Sequence, residues 1–185
     1  MKRIFLTLAV LGNLSLLGAT IYGLQIGGAM TRDPAVQSRV SNHMLIGLCA
    51  LTFATLVHAI LLTYFMGTGR WLEETSRAYQ LDRSWHALNQ KIKYRAVMGM
   101  ILCLLLLITT GALGAAADPA TPASLDGWLG LRGRTIHYAV AIATLIVNLI
   151  VNAAEFIAVS QNSAIIEGVM AEVRRIRIDR GLPIS

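Results

Sequence analysis

The chain has 185 residues, of which 55% are hydrophobic and only 14% charged, with a net charge of +6. A soluble domain of this length carries about a quarter charged residues. Here the deficit gathers into four long uncharged runs, which argues against a water-soluble fold and for one membrane-embedded domain, 1–185. The basic residues flank those runs and form no patch with interleaved aromatics, so anionic lipid headgroups are their expected counter-charge and nucleic acid is not an expected partner.

The first run, 4–26, follows Met1-Lys2-Arg3. A basic start, an apolar stretch and small residues near Ala19 have the form of a signal peptide, but the run continues through Tyr22 and reads as a retained helix. The next runs are 44–66, 96–117 and 138–159, each long enough to cross a hydrocarbon core of about 30 Å. Cys49 and Cys103 fall inside these runs with no metal-type spacing, as two buried thiols acting as small hydrophobes. Of the 16 basic residues, twelve lie before the first run, in 67–95 or in 160–185; the other four are Arg32, Arg39, Arg132 and Arg134. The positive-inside rule then puts both termini in the cytoplasm of a bacterial-type inner membrane.

The fold class expected is all-α: an integral membrane four-helix bundle built from a two-helix repeat, with amphipathic cytoplasmic helical extensions after helices 2 and 4. Each half has a basic residue before its first span (Arg3, Arg95) and a loop with Asp-Pro-Ala, at 33–35 and 118–120. Each half then opens its second helix with a histidine, His43 or His137, and fifteen residues later stands His58 or Asn152. Gly67 and Gly69 suit a C-terminal cap and a change of direction, ahead of a helix starting at Trp71 and reaching toward Ser84. Trp71, Tyr79 and Trp85 are expected at the headgroup level. Ile165, Ile166, Val169, Met170, Val173 and Ile176 form an apolar stripe in the tail, extending helix 4 or packing on the 71–85 helix, or docking a partner subunit.

On helix 2, His43, Gly47, Ala50, Ala54 and His58 share one face; on helix 4, His137, Ala141, Thr144, Asn148, Asn152 and Glu155 do. Polar groups at membrane depth must face the bundle interior, so these stripes are expected inward. His43 and His137 are candidate metal ligands at matching depth on helices running the same way, with Gly47 and Ala141 one turn below leaving room for a flat macrocycle. The arrangement resembles membrane-bound b-type cytochromes, in which histidines on two facing helices ligate haem. Respiratory cytochrome b proteins carry two histidines on each ligand helix; here the inner position on helix 4 is Asn152, so the resemblance implies one haem b at most. The alternative for both residues is a structural or interfacial histidine.

His58 is expected to pair with Asn148 or Asn152, to contact a quinone headgroup, or to accept protons. Glu155 is a proton or quinone-site group, or more readily the partner of Arg70 or another inner-surface base, and His86 is a solvated loop residue. No Ser-His-Asp set, HExxH motif or Cys-His metal cluster occurs. Two functions follow: a membrane electron-transfer subunit with one b-type haem and a quinone contact, or a non-catalytic accessory or assembly subunit of a larger membrane complex.

Overall fold

The computed structural model describes residues 1–27, 33–118 and 121–183. Arg32 and the Pro119-Ala120 pair lie outside those residues. The chain forms four helices, α1 (Lys2–Leu24), α2 (Pro34–Tyr79), α3 (Arg83–Ala116) and α4 (Gly133–Asp179), with a one-turn 3-10 helix at Trp128–Gly130. Each of the four is long and apolar enough to span a membrane.

Successive helices run in opposite directions, so Met1 and Asp179 lie at the same end of the bundle. The cross-links show it: Tyr138 near the start of α4 donates to the Gly23 carbonyl near the end of α1, and Asn89 near the start of α3 donates to Asn162 far along α4. Neighbours pack as α1 on α2, α2 on α3, α3 on α4 and α4 on α1, which leaves α2 and α4 on the diagonal. Their predicted stripes do turn inward: Ala50, Ala54 and His58 on α2, and Thr144, Asn148, Asn152 and Glu155 on α4, are all buried. The opposite faces stay apolar and open, as Leu45, Leu48, Ile146, Leu149 and Ile150 show, and suit hydrocarbon rather than water. Cys103 is buried, whereas Cys49 lies on the open face of α2.

Several helix ends fall elsewhere than the sequence patterns suggest. Asp33 ends the loop and its carboxylate caps α2 by accepting from the Ala35 N–H at 2.9 Å, whereas Pro34 takes the first helical position. His43 therefore lies more than two turns inside α2. Gly67 and Gly69 do not end that helix. A Cβ on Gly69 would stand 3.1 Å from Asn89 Oδ1, so this glycine admits a close approach of α3. The chain turns instead at Gln80, the left-handed cap residue of α2 (φ 55°), and Asp82 caps α3 through the Ser84 N–H at 2.6 Å.

Beyond α1, the far ends of α2, α3 and α4 continue as a three-helix bundle. Leu72, Leu81, Ile165, Val169 and Val173 form its core, with Trp71, Tyr79 and Trp85 packed against it rather than standing free. Trp85 lies over Gly168, where a Cβ would come within 2.6 Å of its ring, and its indole N–H donates to Glu172 at 3.1 Å. The tail stripe thus both extends α4 and packs on its neighbours, although Met170 remains exposed. His86 is a half-buried residue of α3 and contacts Gln90 at 2.9 Å, not a loop residue.

Candidate functional site

Two polar constellations occupy the centre of the bundle, at different depths. The outer one is the histidine pair. The rings of His43 on α2 and His137 on α4 meet across the diagonal with centroids 6.2 Å apart and planes at 71°. Tyr22 stacks on the first at 6.5 Å and Tyr138 on the second at 6.4 Å. Each imidazole lies on bare helix backbone. A Cβ on Gly23 of α1 would fall 2.6 Å from His43 Cε1, and one on Gly114 of α3 would fall 3.1 Å from His137 Cε1. One turn before each glycine, the Ala19 and Thr110 carbonyls are the backbone acceptors beside the two rings. Both Nδ1 atoms are nevertheless buried without a hydrogen bond.

Around the pair lies a cavity of about 600 Å³, within the range of small-molecule sites. Gly47 and Ala141 line it, and Thr110 and Thr144, hydroxyl to hydroxyl at 2.7 Å, are among its deepest lining residues. Arg134 and Asp118 stand at its outer rim, while Leu45 and Leu48 line it from the lipid-facing side of α2. The cavity therefore opens sideways toward hydrocarbon as well as outward. Among the described residues, no three His, Cys, Asp or Glu side chains gather as a bare metal ion would need.

The inner constellation is a closed network. His58 and Glu155 are each 1% exposed and meet at 2.9 Å through Nδ1 and Oε1. His58 Nε2 contacts Asn148 Oδ1 at 3.0 Å. Arg70, the partner first expected for Glu155, pairs instead with Glu74 at 2.8 Å on the surface of α2. Arg70 follows Glu155 poorly because the α2 helix continues unbroken and carries it outward, away from the bundle axis. Both His58 nitrogens are thus engaged inside the protein, and neither His58 nor Asn148 lines the cavity.

The directions of these bonds are fixed by one backbone oxygen. Asn13 Nδ2 donates to the Ala9 carbonyl at 2.8 Å, so Asn13 Oδ1 is left to accept from Asn148 Nδ2 at 3.1 Å. Asn148 must then present Oδ1 to His58, and His58 Nε2 must carry a proton. The remaining contact, Nδ1 to Oε1, holds one further proton, because two bare acceptors would repel at 2.9 Å. The pair is thus net neutral whichever atom holds that proton. Glu155 Oε2 and Asn152 Oδ1 are buried and have no donor.

Sequence patterns named the two histidines, Gly47, Ala141 and the His58–Asn148 contact. They missed Gly23, Gly114 and Asn13, which come from α1 and α3, helices whose smaller stripes drew no attention. A signal was present: Tyr22-Gly23 and Leu113-Gly114 each close an apolar run just before a His-bearing helix. Comparisons with protein-family models, curated proteins and solved structures find no match.

Proposed function

We propose that the chain is a membrane electron-transfer protein holding one b-type haem between His43 and His137. The observation that carries this reading is the spacing of the rings. An imidazole nitrogen binds a transition metal at about 2 Å, and the ring centre lies about 1 Å behind it, so two axial imidazoles stand about 6 Å apart. The separation in the bundle is 6.2 Å.

The surroundings fit the same group. A histidine ligand usually gives its second nitrogen to a carboxylate, a backbone carbonyl or water, and the Ala19 and Thr110 carbonyls are the backbone acceptors beside these two rings. Gly23 and Gly114 let the rings recede into the helix walls, so that the cavity edged by Gly47 and Ala141 stays clear for a flat macrocycle. When bound, such a group supplies one-electron redox chemistry. The chain's own residues hold it at the bundle axis, orient both imidazoles, and present Arg134 at the outer rim as a cation for acidic substituents. Its sidedness follows from the twelve-to-four distribution of basic residues, which supports N- and C-termini in the cytoplasm and the haem toward the outer face. A quinone headgroup fits the lipid-facing mouth between Leu45 and Leu48 better than it fits His58, whose nitrogens are both engaged.

The test is a reduced-minus-oxidised visible spectrum of the protein extracted from membranes. Bis-imidazole haem bands are expected, and they should be lost in His43→Ala and in His137→Ala. A colourless, folded preparation that takes up no added haem overturns the reading. It would leave the second one, an accessory subunit whose far three-helix bundle packs on partner subunits of a membrane complex.

A further inference from the structure

We infer that Glu155 is a reversible proton-binding site buried in the bundle and in exchange with the outer cavity rather than with the basic end. Its ligand is a proton carried by water. The inference does not depend on the histidine pair above it, because it rests on different residues and on a different helix depth.

Three observations carry it. The first is the orphaned acceptors. Glu155 Oε2 and Asn152 Oδ1 are both buried, both lack a donor, and lie one turn apart on α4. An unsatisfied oxygen in a membrane interior costs several kcal/mol, and a proton on Oε2 would turn it into a donor toward the Asn152 oxygen and relieve both. The second is the fixed polarity of the network. With Nε2–H committed to Asn148 and one proton already held between Nδ1 and Oε1, the free place for another proton is Oε2. Its uptake takes the pair from net zero to net +1, and its release restores neutrality. The titratable group bonded to Glu155 is His58 on α2, which in turn faces the Cys103 thiol on α3, while α1 contributes only the neutral Asn13, through Asn148.

The third is the direction of access. Thr144, Asn148, Asn152 and Glu155 follow one another at single-turn intervals on one face of α4, and Thr144 lines the cavity. That stripe offers hydrogen-bonding groups at every turn from the cavity to the carboxylate. Below Glu155 the same face meets Val159, which packs with Leu61 and Phe65 of α2; all three are 0% exposed. The next polar cluster, Asn162 with Asn89 and Thr68, lies beyond this apolar plug; its members are hydrogen-bonded to one another, and Asn89 Oδ1 is left over on the far side of the plug from Glu155.

Infrared difference spectroscopy of the whole protein in lipid, recorded while buffer pH is stepped, reads the carboxyl directly. The expected result is one pH-dependent carbonyl stretch of a buried carboxylic acid, absent in Glu155→Gln and shifted in frequency in Glu155→Asp. If Glu155→Gln does not fold, the Asp variant carries the assignment, and an unshifted band there counts against it. Replacing Thr144 by Val, which removes one relay hydrogen bond, should slow the response to a pH step by about tenfold. No pH-dependent band in the native protein, or a band that survives in Glu155→Gln, overturns the site. An unchanged rate in Thr144→Val overturns the route.

Discussion

Gly23, Gly114 and Gly47 lie near the same two imidazoles but face different surroundings, and that difference is measurable. A methyl at Gly23 would stand 2.6 Å from His43 Cε1, a distance that forces the ring to move, whereas at Gly114 the corresponding gap is 3.1 Å and a small shift relieves it. At Gly47 a methyl meets nothing within 4 Å. On the proposed haem reading, Gly23→Ala should therefore cost more haem occupancy than Gly114→Ala, as read by haem content per protein and by the width of the spectral bands. Gly47→Ala should raise thermal stability slightly, since alanine is favoured over glycine inside a helix by roughly 0.5–1 kcal/mol. Equal losses at Gly23 and Gly114 would contradict the cradle. The histidines themselves were legible in the sequence because imidazoles at membrane depth are costly and must be accounted for. The glycines were not, since a missing side chain becomes informative only once its neighbour is known.

Among the elements, the turn joining α2 to α3 departs most from expectation. Two glycines suggested a helix end at Gly67-Gly69, but helix continuation through Tyr79 gains a buried seam around Leu72 and Val169 that outweighs the preference of glycine for non-helical backbone. Asp82 then does the capping. The Ser84 N–H bonded to its carboxylate holds the Asp82 pKa below the usual carboxylate value. A depressed folded pKa means the cap helps above the unfolded value and is lost as pH falls through the folded one. Asp82→Ala should accordingly lower the thermal midpoint at neutral pH, and the gap between variant and native protein should narrow in acid. A gap independent of pH would mean that Asp82 contributes nothing as an ionised cap. Spans were legible to within a few residues at their lipid-embedded parts, because hydropathy reports lipid contact. Their ends depended on caps and on packing partners distant in sequence, to which hydropathy is blind.

For the molecule as a whole, the up-and-down order of four helices places both chain ends together and the 121–132 segment at the opposite end. The basic residues then predict which end faces which compartment. A single cysteine introduced at Ser124, in a background with Cys49 and Cys103 replaced by Ser or Ala, should react with a membrane-impermeant thiol reagent added outside intact cells. One at Ala78, which is exposed near the end of α2, should react only after the membrane is opened. The reverse pattern would invert the topology and move the histidine cavity to the cytoplasmic face. Bundle architecture was readable from four apolar runs, whereas the diagonal placement of α2 and α4 was not. It depends on which neighbours the short connections bring together.

Helices α2 and α4 run without interruption for 46 and 47 residues, about 70 Å each at 1.5 Å per residue. Each carries an imidazole near one tip, a member of the His58–Glu155 pair near its middle, and a face of the Leu72–Val169 seam near the other. Such rods pivot as wholes. A tilt that widened the gap between the upper rings while the central ion pair stayed closed would have to swing the lower tips together, against a seam already packed to contact. The crossing point is pinned by one proton-bearing contact, and the spacing at the top is set by the fit of side chains about two to three turns beyond the apolar plug at the bottom.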